Sequence, residues 1–144
     1  PHLTKAVQAG YRVLADMGEM SANFTQSSLY VKGSFIREDR DRVKRFVRAY
    51  SEAVHAMKND RERTLKVFAK RMRIDDAETL QSTYNYFAPR FSLPPRVDLA
   101  GVRDTIRFYA EHNPELKNRT AEEFIDHSLL DEIEKEGFFK KLGG

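Results

Sequence analysis

The sequence predicts a helix-rich α/β chain, with two or so short strands followed by about five helices, and three observations carry that reading. Residues Tyr11, Val13 and Ala15 alternate with Arg12, Leu14 and Asp16 before Gly18, a period of two. The run FTQSSLYVKG is rich in β-branched, aromatic and hydroxyl side chains and closes at Gly33, which places a second strand around Ser28 to Lys32. Beyond Ser34 the period becomes 3.6: Val43, Phe46, Val47, Tyr50, Val54 and Met57 fall on one stripe of a long helix.

The elements follow in order. Leu3, Ala6 and Val7 share a face of a short helix over residues 1–9, and Gly10 suits its left-handed terminus. Asp39 caps the long helix, with Arg40 as its first helical residue, and Asn59 ends it. A second helix starts near Asp60, with Leu65, Phe68 and Met72 inward. Asp75-Asp76-Ala77-Glu78 opens a third, whose predicted buried stripe is Ala77, Leu80, Tyr84 and Phe87 and whose end is Pro89. FSLPPRV is a loop, because Pro94 and Pro95 impose extended backbone on themselves and their predecessors. Asp98 caps a helix carrying Leu99, Val102, Ile106 and Tyr109, which stops at Asn113-Pro114. Thr120 to Glu123 has capping-box spacing, and a last helix carries Leu129, Leu130 and Ile133 with Gly137 as its terminus.

Composition narrows the chemistry. The 144 residues contain no cysteine, which excludes disulfide scaffolds, zinc ribbons and thiol catalysis. Lys and Arg number 25 against 22 Asp and Glu, a formal +3 with the signs interspersed, which gives little reason to expect a polyanionic partner. No apolar run approaches the ~20 residues of a membrane span, and the first residues lack the pattern of a secretory signal. The chain starts at Pro1, without a methionine, and reads as a processed piece, an expressed segment or a fragment of a longer polypeptide, which composition does not distinguish.

Candidate sites were weighed against plainer roles. His2, His55, His112 and His127 have no zinc-like spacing, so no metal is expected. Asp126-His127-Ser128 has the residue types of a hydrolase triad, but consecutive residues do not converge on one atom, and no phosphate loop or nucleophile elbow occurs. The expectation is a protein that is not an enzyme and needs no cofactor. Carboxylate pairs such as Asp75 with Glu78 and Glu122 with Asp126 read as helix capping. The Arg-rich segment 37–57 reads first as a solvated charged face, and in a rival view as a free-standing helical interaction or nucleic-acid-binding module. Tyr84, Tyr86 and Phe87 read as core more than as a stacking platform. Phe24, Thr25, Gln26 and Ser27 put an aromatic and three hydrogen-bonding side chains on an extended run, suited to a small polar ligand.

The stretch GYRVLADMGEM, then SLYVKGSFIREDRDRVKRFVRAY and the helices to YNYFAP, then FYAEHNPELK before EEFIDHSLLDEIEKEGF, resembles the C-terminal half of ABC-transporter substrate-binding proteins. The group is that of sulfonate, taurine, nitrate and thiamine-pyrimidine-precursor binders, with the type II periplasmic binding fold. The resemblance implies a two-lobed protein, periplasmic or otherwise extracytoplasmic, that closes on a small organic or anionic solute and delivers it to an ABC permease. It implies that residues 1–22 are the tail of the second lobe, 23–33 a hinge-crossing strand, and 34–144 a helical part packing on the first lobe. On that mapping Phe24, Thr25, Gln26 and Ser27 face the cleft, and His2 stands at a helix N-terminus that favours an anionic ligand group. The implied partners are the solute, the permease and the N-terminal half of the same protein, with no nucleic acid. Uncovered faces would drive self-association of the chain alone.

Overall fold

A computed structural model describes residues 2–16 and 28–143. The elements are α1 (His2–Gln8), α2 (Gly33–Glu38), α3 (Arg40–Asn59), α4 (Arg61–Met72), α5 (Ala77–Phe87), α6 (Leu99–Ala110), α7 (Ser128–Lys135) and α8 (Phe138–Lys141). Short 3-10 turns lie at Ala88–Arg90, Pro114–Leu116 and Ala121–Phe124.

The described residues are helical without a strand, which corrects the α/β expectation. Residues 11–16 and 28–32 are neither helical nor laddered. The alternation there is real, but a strand exists only when a neighbouring strand accepts its hydrogen bonds, and no described segment is laddered to either stretch. Gly33, expected to close a strand, opens α2 instead.

Helix boundaries follow local chemistry closely. At the end of α1, Gly10 adopts φ +87°, its N–H donates to Val7 O and the Tyr11 N–H donates to Ala6 O. That double closure is the Schellman motif, which needs a residue free to be left-handed. Asp39 accepts from the Arg42 N–H (3.2 Å), Asp60 from Arg63 (3.0 Å), and Asp98 from Ala100 and Gly101 (3.1 and 3.2 Å). α5 is capped by Asp76 through the Thr79 N–H (2.6 Å), one residue beyond the expected Asp75. The Thr120–Glu123 capping box forms as read, on a 3-10 turn.

α3 is the axis of the molecule, and α2, α4 and α7 all pack against it. α4 packs in turn on α5, α5 carries α1, and α7 carries α8. The core is centred on α7 and α8, where Leu130, Ile133 and Phe139 are buried with Val47 and Leu93 against them. Around α4 and α5 burial falls on unexpected residues: Thr64, Thr79 and Thr83 are buried, whereas Met72 and Phe87, read as inward, are 40% and 39% exposed. Tyr109 and Ala77 likewise face solvent.

The accessible surface is 10876 Å², against about 7,600 Å² for a compact monomer of this mass. Large apolar side chains contribute to it. Leu14, Tyr30 and Tyr11 stand open, and Leu3, Val7, Val13, Leu29 and Phe46 are about half exposed.

Candidate functional site

Of the residues expected to touch a ligand, His2 is exposed at the start of α1, whereas Phe24, Thr25, Gln26 and Ser27 lie outside the described residues. The segment that follows them, 28–32, runs beside α2 and α3 and forms with them an apolar groove of about 450 Å³. Its walls are Leu29, Val31, Phe35, Val43 and Phe46, with Lys32 and Arg42 at the rim. Arg42 is held there by Asp39 (2.8 Å) and lies over the Phe35 ring at 5.8 Å. The groove is open rather than enclosed, and its exposed Leu29, Phe35 and Phe46 fit a packing surface better than a cavity that buries most of a small ligand.

The Arg-rich segment does something the sequence reading missed. On one side of α3, Arg40, Lys44 and Arg48 rise at i, i+4 and i+8 and meet Glu132 on α7 and Glu136, one turn further at its C-terminal cap. Arg40 Nε donates to Glu132 (3.0 Å), Lys44 bridges Glu132 (3.3 Å) and Glu136, and Arg48 also reaches Glu136. Hydrogen bonds from Arg40 and then Lys44 hold the Glu132 carboxyl below its ordinary range, and Lys44 does the same for Glu136. Their carboxylates in turn raise Arg40 and Lys44. Of the other cations, Arg45 pairs with Asp41 on its own helix (2.6 Å), and Lys58, just past the segment, donates to Ala88 O in the 3-10 turn after α5 (2.9 Å).

Asp126 and Ser128 shape the turn that opens α7. Asp126 accepts from the Ser128 N–H (2.9 Å), and hydrogen bonds from Ser128 hold its carboxyl below the ordinary range. The Ser128 hydroxyl also accepts from Arg40 (3.0 Å), which ties this turn to α3. On the other side of α7, Arg96 reaches Asp131 (2.8 Å) and Glu134 (2.7 Å), fixing the Pro94-Pro95 loop. A second shallow groove beside α6 is lined by Ile106, Ala110, Leu116 and Ala121, and its arginines Arg103, Arg107 and Arg119 are paired with Glu122, Asp104 and Glu123.

Among the described residues no three His, Asp or Glu side chains are placed to hold a metal ion, and no helix is long and apolar enough to cross a membrane. No protein-family model, no curated protein and no solved structure matches this chain.

Proposed function

We propose that the chain is part of the solute-binding component of an ABC importer, acting outside the cytoplasm to capture a small organic or anionic molecule by hinge closure and pass it to a permease. The observation that carries this reading is the open apolar surface on residues 3–14 and 29–46. A self-sufficient helical module would bury those side chains, at about 25 cal/mol per Å² of apolar area. A chain that works against a further protein half leaves them for that half to cover.

The nucleic-acid reading of residues 37–57 is weakened by charge bookkeeping at the atomic level. Phosphate binding needs cations whose neutralisation is not already spent inside the fold, and Arg40, Lys44 and Arg48 are spent on α7. Phe24, Thr25, Gln26 and Ser27 remain the proposed ligand contacts, with His2 as a candidate for an anionic group.

The test is thermal stabilisation of the longer polypeptide from the same reading frame by a panel of small solutes: alkyl sulfonates, taurine, nitrate and pyrimidines. One of them should raise the unfolding midpoint in a concentration-dependent way, as any ligand specific to the native state must. A tight salt-dependent complex with duplex DNA, and no response across the panel, overturns the proposal.

The same surface predicts how the chain behaves alone. At micromolar concentration it should sediment as dimers or larger species, and Leu29→Lys with Phe46→Lys should return it to monomer. A wild-type chain that is strictly monomeric would show that the exposed groove has no adhesive role.

A further inference from the structure

The described residues hold a second basic surface, on α4, that the folding of the chain leaves unspent. Arg61 is turned to Gln81, Asn85 and the Tyr84 ring on α5, and beyond it stand Arg63, Lys66, Lys70, Arg71 and Arg73 against the single carboxylate Glu62. Thr64, Leu65, Phe68 and Ala69 turn toward the protein. Arg63, Lys66, Val67, Lys70 and Arg73 recur at helical spacing on the opposite side, a stripe about 15 Å long. Lys66 pairs with Glu62 (2.6 Å), but the side chains of Arg63, Lys70, Arg71 and Arg73 have no carboxylate partner among the described residues.

Helix chemistry explains only some of these charges. Lys70 and Arg71 complement the negative end of the helix. Arg63 sits in the first turn, where a cation is disfavoured by the same dipole. Arg73 sits at the helix terminus with φ 53° and ψ 49°, a left-handed conformation that glycine adopts freely and an L side chain does not. Two cations of this stripe thus stand at positions where local stability argues against them.

We infer that the outer face of α4 is a docking surface for an anionic phospholipid bilayer. A protein partner would be anchored by aromatic and aliphatic side chains in a dry centre from which Lys is depleted, and the stripe offers only the half-exposed Val67. A bilayer surface asks for coplanar cations alone, and each one held near it multiplies partitioning by roughly fivefold. With the apolar side of α4 packed on α3 and α5, the helix lies against the headgroups without inserting. The purpose of this contact rests on the importer reading, since such a component meets its permease at a membrane; the contact itself does not depend on which solute is carried.

The experiment is co-sedimentation of the chain with vesicles of phosphatidylcholine alone, or of phosphatidylcholine and phosphatidylglycerol in equal parts, at about 0.02 M and about 0.15 M salt. Binding to the mixed vesicles should exceed binding to neutral ones by at least about tenfold at low salt and weaken at the higher salt. Arg63→Glu with Lys70→Glu should abolish that preference. Arg42→Glu with Arg45→Glu, the same change in net charge made on α3, should leave it within about twofold. Arg73→Gly separates surface from scaffold: it should raise the melting temperature while weakening vesicle binding about fivefold. Equal binding to neutral vesicles, an equal loss in the α3 control, or full displacement by duplex DNA at matched phosphate would overturn the inference. Vesicle failure beside successful solute binding by the longer protein would remove the docking surface and leave the importer reading standing.

Discussion

Replacing Ile133 by alanine is expected to cost about 2–5 kcal/mol of unfolding free energy, a large part of the 5–15 kcal/mol typical of a domain. Ile133 is the largest completely buried side chain among the described residues, and it sits where α7 meets α8 and α3. It shares one apolar cluster with Leu130, Phe139, Val47, Phe138, Leu142 and Leu93, which joins α3, α7, α8 and the loop before α6. Removing three carbons there loses their transfer energy and leaves a cavity that short helices pinned by salt bridges do not close freely. Urea unfolding followed by circular dichroism would measure the loss. Ile133→Val should cost only about 0.5–1.5 kcal/mol, and similar values for both variants would mean that this packing does not set global stability.

The same helix shows what the sequence makes legible. Leu129, Leu130 and Ile133 lie on one stripe between Ser128 and a glycine terminus, and the structure buries all three. For α7, as for the boundaries of α3 and α4, the information is local: period, cap and stop lie within a few residues of one another. The strands failed for the opposite reason, since whether Tyr11–Asp16 or Ser28–Lys32 belongs to a sheet depends on a neighbour that the alternation does not specify.

A third kind of information is local but easily misread. In α5 the apolar pattern points to Ala77, Leu80, Tyr84 and Phe87, yet the deepest residues are Thr79 and Thr83. The Thr83 hydroxyl donates to Thr79 O (2.7 Å), as Thr64 does to Asp60 O (2.8 Å) and Ser51 to Val47 O (2.8 Å). A hydroxyl satisfied by its own helix carries no unpaired polar group inward, so Thr64 and Thr83 bury much as a valine would, whereas the buried Thr79 hydroxyl has no partner among the described residues. Tyr84 sits half-buried because its hydroxyl must reach Met57 O (3.0 Å) at the α3 terminus. Of the candidate site, His2 starts the short helix α1 and the ligand run from Phe24 to Ser27 falls outside the described residues. The pairing of α3 with α7 went unread because its halves lie about ninety residues apart, although Arg40, Lys44, Arg48 and Glu132, Glu136 are matching stripes of opposite sign.

That pairing carries the second large prediction: Glu132→Lys with Glu136→Lys should detach α7 and α8 from α3. Isolated surface ion pairs contribute little, but here two carboxylates serve three cations, and reversing both sets five positive charges along one seam. Lys44 is the most enclosed member, with 18% of its side chain exposed, so it has the least solvent to relieve the repulsion. Loss of helix content and of protection from proteolysis beyond about residue 126 would report the detachment. Restoring opposite signs with Lys44→Glu in the Glu136→Lys background should recover part of the loss, and a cycle with no recovery would show that the charges do not couple. The native protein should show the same seam failing in acid. Glu132 and Glu136 are held below the ordinary value of 4.5, so the stability they contribute is complete above it and is lost as the pH falls below it. Lys44 is raised above 10.5, so its share is present below that value and is lost only as the pH rises past it. The melting temperature should therefore be level through the neutral range and fall below about pH 4.5. Glu132→Gln with Glu136→Gln should flatten that acid limb, because the groups that titrate there are gone, while Asp126 and the other carboxylates still titrate.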